Sequence, residues 1–62
     1  MKSFQQKCEE SADYCRTATD RQLPNIYRDE TDRAERYGDD NETGLLASAF
    51  AAAARSEMIR RG

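Results

Sequence analysis

The sequence predicts an all-α protein of two to three helices, and three observations point there. β-Branched residues are scarce: two isoleucines, four threonines and no valine. No run of four or more residues alternates apolar and polar side chains as a strand would. Ten consecutive residues, Leu45 to Ala54, carry no charge in a chain that is 35% charged, and six of them are alanine, the strongest helix former. The predicted segments run over about residues 3–22, 24–37 and 41–60. A helical hairpin or small bundle in one domain, residues 1–62, is the expected architecture.

The first segment starts at Ser3. Ser3 and Gln6 have the spacing of a capping box, in which each side chain satisfies a free amide of the first turn. Phe4, Cys8, Ser11, Ala12, Cys15, Ala18 and Thr19 then follow at helical spacing. This stripe is narrow and made mostly of small side chains. Arg16 and Asp20 stand four apart, where opposite charges can pair. Pro24 disfavours a helical Leu23 and supplies no amide hydrogen, so the first helix is expected to end near Gln22.

Proline suits the first turn of a new helix, which places the second segment at Pro24 or Asn25 onward. The alternative is one long helix kinked at Pro24. Ile26, Tyr27, Glu30, Thr31, Ala34 and Tyr37 form its less polar face. Arg28 with Asp32, Asp29 with Arg33 and Asp32 with Arg36 are opposite charges four apart. Gly38 is a natural left-handed terminator. In the acidic turn that follows, Asp40 or Asn41 can cap the third helix. In that helix Leu45, Leu46, Ala49, Phe50, Ala53 and Glu57 define one face, broadened by Ala52, Ser56 and Ile59.

Sixty-two residues with so few large apolar side chains give a thin margin of stability. Chains of this size usually rely on disulfides, a metal or oligomerisation. Cys8 and Cys15 on one helix lie about 10 Å apart along its axis, beyond the ~7 Å a disulfide spans. Two thiols without histidine do not complete a zinc site. Asp39, Asn41, Thr43 and Gly44 match the first half of a calcium loop, but its twelfth position is Phe50 instead of a bidentate glutamate. No cofactor or metal is expected. Self-association through Leu45, Leu46, Ala49, Phe50 and Ala53 is therefore the expected source of stability.

Free thiols and the lack of a secretory apolar stretch lead to a cytoplasmic expectation. The uncharged block is too short for a bilayer, which needs about 20 residues. The net charge of −2 gives no strong field for nucleic acid or anionic membranes. No histidine, phosphate loop or nucleophile with a base is recognisable, so an enzyme is not expected. Two surfaces remain as contact candidates: Arg55, Arg60 and Arg61 for a partner or nucleic acid, and Asp39, Asp40 and Glu42 as an acidic contact with another protein.

Short, highly charged, without histidine and helical throughout, the chain resembles the small accessory proteins of phage early regions, of the lambdoid exo–xis type. The resemblance covers length and style, not a residue pattern. It implies modulation of host or phage regulation through protein contacts, in the host cytoplasm. The expected function is thus a non-enzymatic regulatory protein acting as a homo-oligomer on another protein. The alternatives are a small dimeric DNA-binding regulator using the C-terminal arginines and an acidic inhibitor of a host protein.

Overall fold

The computed structural model describes all 62 residues and contains three helices and no strand: α1 (Phe4–Thr17), α2 (Gln22–Tyr37) and α3 (Glu42–Arg61). Ser3 and Gln6 form the expected reciprocal capping box at the start of α1. Asn41 caps α3: its side chain accepts from the Gly44 amide at 2.9 Å and donates to the Tyr37 carbonyl at 2.8 Å. That one side chain ties the end of α2 to the start of α3. Gly38 terminates α2 at φ 79°, a conformation costly for any residue with a Cβ.

α1 stops at Thr17, five residues short of the expected end, and Leu23 is helical. The reason is a reciprocal pair of side-chain bonds in the turn that leads into α2, whose own cap position, Arg21, makes no side-chain bond. Thr19 accepts from the Gln22 amide at 3.1 Å, and the Gln22 side chain accepts from the Thr19 amide at 2.9 Å. A new helix is thereby nucleated ahead of Pro24, which falls in its first turns, where a missing amide hydrogen costs little. Leu23, fully buried, anchors that turn. The single kinked helix is excluded.

α3 is the spine. It packs against both other helices, whereas α1 and α2 barely touch each other. α1 runs alongside α3 in the same direction: Lys7 meets Glu42 at one end and Arg61 meets the last carbonyls of α1 at the other. α2 runs antiparallel to α3 through the tight Gly38–Asn41 turn. The core is small. Cys15, Ala18, Leu23 and Ala54 form it, with Ile26, Phe50, Ala53 and Met58 packed around.

The buried seam of α3 is Gly44, Ala47, Ala51, Ala54 and Glu57; of the expected face of Leu45, Leu46, Ala49, Phe50, Ala53 and Glu57, Glu57 alone belongs to it, so the helix is rotated from the expected orientation. Small side chains allow α2 to approach closely, and that approach decides which face turns inward. At Gly44 there is no room at all. A Cβ built there overlaps the Gly38 carbonyl oxygen and comes within 2.9 Å of the carbonyl carbon.

The accessible surface is 4599 Å². A folded chain of 7.1 kDa exposes about 4,100 Å² on average. The excess, on the order of 500 Å², reflects a flat, open arrangement with principal extents of 33 × 24 × 14 Å.

Candidate functional site

Because α1 and α2 sit on α3 without closing on each other, a groove of about 670 Å³ opens between them. Its floor is Leu46, Ala47 and Phe50 of α3. Lys7, Glu10, Ser11 and Tyr14 form the α1 wall, and Ile26, Asp29, Glu30 and Arg33 the α2 wall. Tyr14 stands edge-on to Phe50, with ring centroids 5.8 Å apart at 74°. This arrangement holds the Phe50 ring across the base of the groove and leaves Tyr14 about half exposed.

The charges around the groove are unequal. Lys7 bonds Glu42 at 3.2 Å and Glu10 bonds Lys2 at 2.6 Å. Asp29 is largely exposed, so water satisfies it. Glu30 differs. Its side chain is nine-tenths buried, the nearest cation is Arg33 Nη1 at 3.6 Å from Oε1, and Oε2 is buried with no hydrogen-bond partner. A distance of 3.6 Å is beyond a hydrogen bond. Burying an unsatisfied carboxylate oxygen costs more than burying an amide or hydroxyl, and Glu30 Oε2 is the one buried side-chain oxygen or nitrogen without a hydrogen-bond partner.

The C-terminal arginines are largely engaged. Glu57, buried, accepts from Arg60, and from Arg61 at 2.9 Å. Arg61 also bonds Asp20 at 2.7 Å and donates to the carbonyls of Arg16 (3.0 Å) and Cys15 (3.4 Å). It thus caps α1 from another helix, a favourable place for a cation. Hydrogen bonds from Arg60, then from Arg61, hold the Glu57 carboxyl below the usual carboxylate range. Those to Asp20 and Glu57 push Arg61 further up. The expected unanswered cluster of Arg55, Arg60 and Arg61 is therefore reduced to Arg55, which is exposed and makes no ion pair. Arg60 and Arg61 form a structural clasp.

The acidic turn is likewise divided. Glu42 bonds Lys7, while Asp39 and Asp40 are exposed. Asn41 is occupied as a cap, and no group of three or more His, Cys, Asp or Glu is placed to hold a metal. Of the surface pairs expected four apart, Asp32–Arg36 forms at 3.1 Å. The other arginines turn to nearer carboxylates: Arg28 to Asp29, Arg33 to Glu30 and Arg16 to Asp13.

Of the residues expected to self-associate, Phe50 and Ala53 pack against the chain's own core. Leu46 and Ala49 are partly covered, and Leu45 is 43% exposed. Leu46 and Phe50 meet Tyr14, Ile26 and Glu30 in the groove, a combination that links three helices and has no linear motif. The trace of Glu30 in the sequence is its place on the less polar face of α2; Glu57 occupies the same kind of place on α3. Both cysteines are free. Burial, with the Glu57 charge adding to it, pushes the Cys15 thiol up. No helix is long and apolar enough to cross a membrane.

Compared with protein-family models, curated proteins and solved structures, the chain matches none significantly.

Proposed function

We propose that this chain is a non-enzymatic interaction protein whose docking surface is the groove between α1 and α2. The observation that supports it is the separation of those two helices on α3, which leaves a channel floored by Leu46 and Phe50. A fourth helix lying there would complete a four-helix bundle and cover apolar surface the chain leaves open. The working site is thus an absence of packing, held open by a spine that folds without it. Regulation by occupancy of a partner, as the resemblance to phage accessory proteins implies, fits this arrangement.

A tagged chain, purified from its native cells, tests the reading. Proteins that co-purify with the unmutated chain should be lost with Leu46→Asp and retained with Ala52→Asp, on the exposed side of α3. Equal loss with both, or retention with both, would overturn it.

A second reading is self-association across the same surface. It is favoured by Leu45, 43% exposed beside Leu46. Sedimentation equilibrium separates the two: a 7.1 kDa particle at micromolar concentration supports a foreign partner, and a dimer supports the second copy.

A further inference from the structure

The groove has a polarity that a purely apolar helix would not satisfy. Glu30 lies on its α2 wall between Ile26 and Arg33, nine-tenths buried, with neither oxygen accepting a hydrogen bond and Oε2 without any partner. Of the other lining charges, Lys7 is answered by Glu42, Glu10 by Lys2 and Asp29 by Arg28 and water, while Arg33 stands against Glu30 Oε1 alone and reaches neither Oε2 nor hydrogen-bond distance. We infer that the occupant of the groove is an amphipathic helix of another protein carrying an arginine that engages the Glu30 carboxylate. This inference rests on the docking reading above.

Arginine fits better than lysine. Once Arg33 moves aside, the two carboxylate oxygens match the two-pronged guanidinium fork, and guanidinium is the more weakly hydrated cation, so it enters a half-dry groove more easily. The terminal torsion of a glutamate is soft and two-fold, so Oε2 can turn outward as Arg33 moves aside. The groove walls, Lys7 to Tyr14 and Ile26 to Arg33, each span two helical turns, about 10 Å. A short helix therefore places one arginine opposite Glu30 and apolar residues over Leu46 and Phe50.

The test uses two stapled helices of about twelve residues, stapled because free ones of that length are marginal. Both carry the same leucine face, and the central residue is arginine in one and norleucine in the other. Each is titrated into the ¹⁵N-labelled chain. The arginine helix should move the Ile26, Leu46 and Phe50 amides and bind at least about tenfold more tightly than the norleucine helix, the scale of a charge-assisted hydrogen bond. In Glu30→Gln, shown folded by circular dichroism, the two should bind alike. Equal binding to the unmutated chain would overturn the arginine contact and leave the docking groove standing. Failure of both helices to move groove amides would overturn both. Butylguanidinium binding as tightly as the arginine helix would assign the site to a small cation and overturn the helical occupant. A dimer in sedimentation, with those amides already protected, would assign the groove to a second copy.

Discussion

Gly44→Ala separates this structure from an isolated-helix reading, because the two predict opposite signs. Gly44 lies in the first turn of α3, and alanine is favoured over glycine in a helix by up to about 1 kcal/mol. Helix propensity alone therefore predicts stabilisation. The structure predicts loss, because the new methyl overlaps the Gly38 carbonyl oxygen. Gly38 cannot yield easily: it holds φ 79°, its amide bonds the Ala34 carbonyl at 2.8 Å, and Asn41 ties the turn to Tyr37. Relief requires the α2–α3 turn to open by on the order of an ångström. Overpacking of that kind costs roughly 1–3 kcal/mol, and more when backbone must move. After the propensity gain, a net loss of up to about 2 kcal/mol remains. For a domain of this size each kcal/mol lowers Tm by roughly 8 °C. Thermal melting followed at 222 nm reads it directly. A Tm equal to or above that of the unmutated chain would refute the close approach of α3 to the α2 terminus, and with it the placement of the groove floor.

Other substitutions probe the remaining parts. Glu30→Met removes the unsatisfied carboxylate and keeps the side-chain length, so Tm should rise by roughly 5–10 °C, the counterpart of about 1 kcal/mol; a fall of that size would show Glu30 to be satisfied. The Glu57 carboxyl is held below its unfolded value, so its contribution is complete above about pH 4.3 and is lost as pH falls through the folded value. Melting between pH 7 and pH 2 should therefore show a fall in Tm below that point, and Glu57→Gln should be less stable at pH 7 with a shallower acid fall; an unchanged acid slope would contradict the clasp. With iodoacetamide at pH 8, Cys8 should be alkylated well before the buried Cys15, as peptide mapping would show, and equal rates would contradict the core.

The legible part of this fold lay in its local signals. The Ser3–Gln6 box, the Gly38 stop and a cap at Asn41 are each decided within a few residues, and the structure shows all three. The end of α1 was legible in principle, since Thr19 and Gln22 repeat the spacing of Ser3 and Gln6, but the proline rule outweighed it. What local pattern could not supply was the rotation of α3. Ala47, Ala51 and Ala54 turn inward, and Leu45 outward, because the approach of α2 at Gly44 rewards small side chains over large ones. The groove was out of reach for the same reason: Tyr14, Ile26, Glu30 and Phe50 belong to three helices, and only the angle between α1 and α2 brings them together. Half of the Arg61 clasp is local, since Glu57 stands four residues before it; the other half, Asp20 and the end of α1, lies more than forty residues away and has no trace in the local pattern.

The central claim, that the groove between α1 and α2 is where a partner lies, is tested most directly by position-specific photo-crosslinking in the native cell. A photoreactive phenylalanine at Leu46 should form covalent adducts with another protein, and one at Ala52, on the exposed side of the same helix, should form none. Adducts from Ala52 and none from Leu46 would contradict the account.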